Sequence, residues 1–345
     1  MTSMMPSHNG TRVPAGHASL LSIVTPAFNE SANLPHLYER LRRAPSPLGV
    51  AWEWVVVDDH SSDATFATIA GMARNDPRVH GYRLAKNFGS HTAIVCGLEQ
   101  AKGDCAVVMA ADLQDPPETL PQLLQQWRAG AQVVWAVRAT RPGGTLSSRL
   151  FGRLYYGLMR HGIGIKQMPS TGADFFLIDR CVIDTLARFR EKNASIFALV
   201  TWMGFRQTTI TYTKENRLHG RSGWTLRKKL KLVLDSLICF SSFPIRVMSY
   251  LGAVIALCGS VYTGVVIANA IAGRTPPGWA SLMAVVVVLG GLQLSMMGVL
   301  GEYLWRALEE SRRRPPYWLE ATAVYPPTNG SAKNGSAASE RLPVP

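Results

Sequence analysis

Two stretches without a charged residue, Val247 to Gly273 and Thr275 to Gly301, constrain this chain more than any other feature. Each is 27 residues long, and about 20 consecutive apolar residues suffice to cross the hydrocarbon core of a bilayer. One such run also fits a helix buried in a large core. Two in succession, parted by Arg274 and the turn residues Pro276, Pro277 and Gly278, predict a membrane hairpin with spans at 247–273 and 279–303.

The charges around the hairpin say how it sits. Arg217, Arg221, Arg227, Lys228, Lys229 and Lys231 precede it, and Arg306, Arg312, Arg313 and Arg314 follow it, whereas the connecting loop carries only Arg274. Positive charge is retained on the cytoplasmic side, so both flanks and both termini are expected in the cytoplasm, at the inner membrane. The net charge of +13 then reflects a belt facing anionic headgroups, and nucleic acid is not an expected partner. Residues 224–246, with Leu226, Leu230, Val233, Leu234 and Leu237 on one helical face, predict an amphipathic juxtamembrane helix lying in the interface. Gly252, Gly259, Gly290 and Gly291 permit close helix–helix approach and with it a homo-oligomer. The five cysteines form no CxxC pair, as suits a reducing compartment. No apolar leader is visible in residues 1–18, which read as a disordered tail, as does the chain after about 327.

Between these tails and the hairpin, apolar runs of strand length alternate with helical patterns. Strands are expected near 20–26, 53–58, 79–85, 105–110, 132–138, 174–178 and 207–213, with helices near 33–43, 63–74, 91–101 and 117–129. Such alternation predicts an α/β domain over 19–223 with a mostly parallel sheet covered on both faces. Ligands of such sheets bind beyond the carboxyl ends of the strands, which directs attention to the residues there.

The first strand ends in P-A-F-N-E, placing Pro26, Asn29 and Glu30 before a helix. This is either a polar cap or a nucleotide contact. The second ends in the adjacent acids Asp58 and Asp59; buried carboxylates need a partner, and a base N–H or a ribose hydroxyl is one. Ser61, Ser62 and Asp63 look like an N-cap cluster. After the fourth strand, A-D-L-Q-D-P-P-E supplies Asp112, Gln114 and Asp115, hard oxygen groups suited to Mg²⁺ or Mn²⁺ bridging a diphosphate, or to capping the helix that Pro116 and Pro117 start.

Taken in order, P-x-F-N-E, V-V-D-D-x-S-x-D-x-T, K-N-F-G-S-H-T-A-I and A-D-L-Q-D-P-P-E resemble the family 2 glycosyltransferases. More narrowly, with G-A-D-F-F-L-I-D-R, W-M-G-F-R-Q, R-L-H-G-R-S-G-W, S-S-F-P-I-R and G-E-Y-L-W-R, they resemble the polyprenyl-phosphate glycosyltransferases of bacterial type. The resemblance implies a GT-A (Rossmann-like) fold, a nucleotide-sugar donor, Mg²⁺ or Mn²⁺, and inverting transfer to polyprenyl (undecaprenyl) phosphate. It implies that Pro26, Asn29, Glu30, Asp58, Asp59, Lys86 and Asn87 hold the nucleotide-sugar and that Asp112 and Gln114 bind the metal. Asp174 matches a proposed catalytic base. Arg138, Arg141, Arg149, Arg217, Arg221 and Ser222 lie in segments that hold the acceptor phosphate. Two positions depart from the family pattern: Ala110 stands where an acid is common, and Gly223 where a lysine is common.

Glucose from UDP-glucose is the first choice of donor by resemblance; UDP-GlcNAc, a modified UDP-arabinose and GDP-mannose are the alternatives. A silent nucleotide-sugar-binding scaffold is the reading from another class. Ala110 favours it, and the intact Asp112, Gln114 and Asp174 oppose it. No Q-x-x-R-W-like motif of processive synthases is present.

Overall fold

The computed structural model describes residues 20–44, 49–139, 174–189, 195–215, 243–273, 278–312 and 314–325. Arg141, Arg149, Arg217, Arg221, Ser222 and the amphipathic segment up to 242 lie outside the described residues.

Alternating apolar side chains build the centre of the sheet. In β1 (Leu20–Ala27) and β2 (Ala51–Asp58), Ile23, Trp54 and Val56 enter one core, while Val24, Val55 and Val57 enter another on the opposite face. Both faces are covered, as near-continuous burial along parallel strands requires. One face carries α1 (Leu34–Arg43), α2 (Thr65–Asn75) and α4 (Leu120–Arg128), anchored by Leu34, Leu37, Leu41, Ile69, Leu120, Leu123 and Leu124. The other carries α3 (Ser90–Gln100), α5 (Arg180–Leu186) and α6 (Ile196–Trp202).

With β3 (Val79–Leu84), β4 (Cys105–Val108), β5 (Val133–Arg138), β6 (Phe175–Asp179), β7 (Gln207–Tyr212) and β8 (Leu319–Ala323), the sheet has the order β7-β5-β6-β4-β1-β2-β3-β8. β1 pairs in parallel with both β2 and β4, β2 with β3, and β5 with β7. β6 runs antiparallel between β4 and β5, and β8 antiparallel along β3. The domain is therefore a GT-A-like α/β unit with a mostly parallel mixed sheet, as expected. The orientation of β6 and the existence of β8 are additions to the sequence reading. The strand order reverses at β1 and β4, which opens a crevice beyond their carboxyl ends. Because β6 is antiparallel, its first residues lie at that same edge.

α7 (Phe243–Ile271) and α8 (Trp279–Ser311) follow. Within α7 the stretch Val247–Asn269 has a mean hydropathy of 2.1 and no buried residue in its most apolar window. At roughly 1.5 Å per residue it is long enough for a bilayer core. Among the described residues it is the one helix long and apolar enough to cross a membrane. The two helices meet at Gly252, where an added Cβ would lie 3.3 Å from Met296 Cε.

Candidate active site

Among the described residues three non-glycine positions have a left-handed backbone, and each follows a central strand: Asn29 (φ 57°) after β1, His60 (φ 59°) after β2 and Leu113 (φ 62°) after β4. Such conformations are costly and persist where surrounding bonds fix them. Here the bonds are visible. Asn29 N donates to Ser61 Oγ (2.9 Å), and Asn29 Oδ1 accepts from Ser62 N (2.9 Å). Glu30 N donates to Thr65 Oγ1 (2.9 Å), and Glu30 Oε2 accepts from Asn33 Nδ2 (2.5 Å). The P-A-F-N-E turn is thus stitched to the turn after β2. The cluster read as an N-cap does not cap the helix, whose N-cap is Ala64 without a side-chain bond; Asp63 accepts from Thr65 N and Ser31 Oγ, while Ser61 and Ser62 serve Asn29.

The paired acids part company. Asp58 is fully buried; its Oδ1 accepts from Ser61 N (3.0 Å), and its Oδ2 has no hydrogen-bond partner, the guanidinium of Arg83 standing 3.5 Å away. Asp59 accepts from Phe88 N (2.7 Å) with one oxygen and from Gly89 N (2.9 Å) with the other. Burial pushes its carboxyl up to about 6, against the pull of these two N–H groups. Asp59 therefore fixes the turn that carries Lys86 and Asn87, both exposed at the same edge, with Lys86 Nζ 4.9 Å from the centre of the Phe88 ring. Asp58 is the acid with an oxygen left without a hydrogen bond.

Beyond β4, Gln114 N donates to Asp112 Oδ1 (3.2 Å) across the left-handed Leu113. The loop is locked to the end of β7. Glu215 N donates to Gln114 O (2.9 Å), and Gln114 Nε2 donates back to Glu215 O (3.4 Å). Arg40 on α1 grips the Glu215 carboxylate with two nitrogens, at 2.9 Å each, and Glu118 with a third bond of 2.6 Å. Asp115, read from the sequence as a third metal oxygen, turns inward instead. It is fully buried, accepts from Tyr212 Oη (2.6 Å) and Ala110 N (3.4 Å), and has Lys214 Nζ at 3.9 Å. Burial pushes its carboxyl up; Lys214 and Tyr212 oppose that, while Asp174 and Asp112 reinforce it. The remaining candidate metal oxygens are those of Asp112 and Gln114, and no cluster of three or more His, Cys, Asp or Glu among the described residues could hold an ion. Two hard oxygens from one loop suit a cation that takes its other positions from water and phosphate oxygens, so the pair fits Mg²⁺ or Mn²⁺.

Asp174 opens β6 beside this loop. Its exposed carboxylate accepts from Arg138 Nη2 (3.3 Å) at the end of β5, and Arg138 Nε is buried without a partner. His91 is a neighbour that the sequence reading did not single out. Its Nδ1 accepts from Ile196 N (3.4 Å), and its ring meets Phe197 edge-on. Burial lowers its basicity while Asp174 raises it. Tyr212, Lys214 and Glu215 were also passed over, since nothing in T-Y-T-K-E marks contacts with a loop 100 residues earlier.

Residues 22–186 match the sequence profile of glycosyl transferase family 2. A glycosyltransferase of Synechocystis, itself uncharacterised, is 37% identical over 298 residues, 86% of this chain and 93% of that protein. The chain belongs to glycosyl transferase family 2. Two other relatives of this family 2 glycosyltransferase carry more specific names. A prophage bactoprenol glucosyl transferase homolog of Escherichia coli is 32% identical over 301 residues, 87% of this chain and 98% of that one. The bactoprenol glucosyl transferase of Shigella phage SfV is 33% identical, with the same shares covered. These matches extend well past residue 186, and the family membership makes the chain a glycosyltransferase.

Proposed function

We propose that this protein transfers glucose from UDP-glucose to undecaprenyl phosphate at the cytoplasmic membrane face, with inversion at the anomeric carbon. The lipid-linked monosaccharide would serve modification of a cell-surface glycan. The observation that carries the reading is the meeting of a hard-oxygen pair and an arginine–carboxylate pair at one sheet edge. The hard-oxygen pair Asp112 and Gln114 stands there beside the Arg138–Asp174 pair. The similarity to bactoprenol glucosyl transferases over 87% of the chain supports both the glucose and the lipid.

In this reading the unpartnered Oδ2 of Asp58 accepts from the base or ribose, within the frame set by Pro26, Asn29 and Glu30. Lys86 and Asn87 face the nucleotide from the turn that Asp59 fixes. Held by Asp112 and Gln114, Mg²⁺ or Mn²⁺ would neutralise charge on the departing diphosphate. A lipid phosphate oxygen attacks the anomeric carbon from the opposite side, and the bond to the nucleotide diphosphate oxygen breaks with its electron pair leaving on UDP. Arg138 presents planar donors to the acceptor phosphate, with Arg141, Arg149, Arg217, Arg221 and Ser222 assigned to it by family resemblance. Asp174 holds Arg138. α7 and α8 form the two-span hairpin, with both termini cytoplasmic.

The test is a panel of radiolabelled nucleotide-sugars, UDP-GlcNAc and GDP-mannose among them, incubated with undecaprenyl phosphate in detergent and extracted into organic solvent. UDP-glucose is expected to label the lipid. Label from a different donor would change the sugar, and label from none would overturn the proposal.

A further inference from the structure

The chain that leaves α8 returns to the catalytic domain. Tyr317 Oη donates to Glu99 on α3, Ala85 N donates to Trp318 O (2.9 Å), and Leu319–Ala323 then completes the sheet as β8. β3 is shaped to receive it: at Gly81 a Cβ would collide with Ile69 Cγ2 and crowd Ala323 Cβ at 3.3 Å. Leu319 lies opposite Leu84 and Ala321 opposite Arg83, which leaves Glu320 as the extra residue of a bulge. Bulges re-aim a side chain. This one aims Glu320 at the residues behind Asp58.

Glu320 Oε2 is 2.9 Å from Arg83 Nε and 3.2 Å from His60 Nδ1. The other arm of Arg83 donates to Ser61 O (3.3 Å), and its Nη1 stops 3.5 Å from the unpartnered Oδ2 of Asp58. His60 Nδ1 is also 3.1 Å from Leu84 O, which holds the left-handed residue after the two acids. Glu320 and Arg83 are partly exposed, and an ion pair of that kind adds little to stability. What the contact controls is where the guanidinium rests. Released from Glu320, Arg83 has a buried carboxylate oxygen within easy reach, and closing that gap would occupy the acceptor a nucleotide needs.

We propose that Glu320 is a positioning residue of the donor site: it restrains Arg83 and His60 so that the buried Oδ2 of Asp58 stays without a hydrogen bond until a nucleoside diphosphate supplies one. The proposal rests on the assignment of Asp58 to the nucleotide. It makes the segment that follows the membrane helices part of the donor site, although it lies 237 residues from Arg83 in sequence.

The experiment is calorimetric titration of UDP into the full chain in detergent, for wild type, Glu320→Ala, Glu320→Gln and the pair Asp58→Asn and Asp58→Asn/Glu320→Ala. Loss of the restraint should weaken UDP binding about tenfold in Glu320→Ala, the scale of one charged hydrogen bond. Glu320→Gln should fall between, and the acceptor KM should not move. In the Asp58→Asn background, removing Glu320 should change UDP affinity little further, since the two residues act on one oxygen. Thermal unfolding identifies a misfolded variant; if Glu320→Ala is one, Glu320→Gln carries the comparison. Wild-type UDP affinity in every folded Glu320 variant would overturn the inference and leave the assigned function standing. A wild-type protein that binds no UDP would overturn that function and the inference with it.

Discussion

Asp59→Asn sets two effects on one carboxyl against each other. Burial disfavours the charged form, whereas the N–H groups of Phe88 and Gly89 favour it; burial wins, and the group titrates at about 6 instead of 3.8. The sign follows. Between pH 3.8 and 6 the folded protein holds a proton that the unfolded chain has released, so this residue's contribution to stability falls as pH rises through that window. The size is roughly 3 kcal/mol, about 1.36 kcal/mol for each pH unit between the two values. Asparagine neither titrates nor accepts with its amide nitrogen, so the variant loses one of the two bonds and leaves a backbone N–H facing a donor, at a cost of about 1–3 kcal/mol. At pH 4 the variant should therefore be the less stable protein. By pH 7 the difference should have closed or reversed. Urea unfolding of both proteins in detergent, followed by tryptophan fluorescence at several pH values from 4 to 8, measures the gap. A gap that widens as pH rises would show that the two N–H groups outweigh burial, and the reasoning would fail.

Asp112→Ala should lose most lipid-linked product while remaining folded, and EDTA should abolish wild-type turnover until Mg²⁺ or Mn²⁺ is restored; full turnover in Asp112→Ala would remove the metal assignment. Asp174→Asn should slow transfer by a similar factor at every pH from 6 to 9. Recovery to the wild-type rate above pH 8 would instead make Asp174 a base. Reporter fusions at the N-terminus and after Arg314 should read cytoplasmic, and a fusion in the Arg274–Gly278 loop should read outside. Release of the protein by high salt alone would contradict a membrane-spanning anchor.

The strands of the α/β domain were legible because each is a short apolar run with punctuation at both ends. β1, β2, β3, β4 and β5 fall within a few residues of their expected places. Direction was not legible, since the side chains of β6 alternate identically whichever way the strand runs; only its pairing with β4 and β5 decides. β8 was missed for a related reason. Its five residues follow an arginine and proline stretch, and their partner is β3, far back along the chain. The motifs point to one sheet edge, but chemistry alone could not divide its acids into those with an unpartnered oxygen and those bonded to backbone. Asp58 and Asp59 are identical and adjacent, yet Asp58 is buried with one oxygen lacking a hydrogen bond while Asp59 accepts from two N–H groups. Asp112 and Asp115 divide in the same way, because Tyr212 and Lys214 on β7 and just beyond it are there to receive Asp115.

That division bears on what the remaining acid at the edge does. The proposed acceptor is a phosphate monoester, whose second pKa is about 6, so it would reach a neutral site already able to attack with no proton removed. What it does need is a cation beside the departing diphosphate and a donor array of its own, because two anions must approach each other. Arg138 supplies such an array only if its guanidinium is held facing the edge. Asp174 Oδ2 accepts from Nη2 at 3.3 Å, Tyr212 is a further hydrogen-bonding neighbour, and Nε has no partner. A carboxylate already accepting from an arginine is placed to aim that arginine. In the proposed reaction the site divides its labour between strands: β2 and β3 would present the nucleotide groups, the β4 loop the metal oxygens, and β5 with β6 the arginine that brings the lipid phosphate in line.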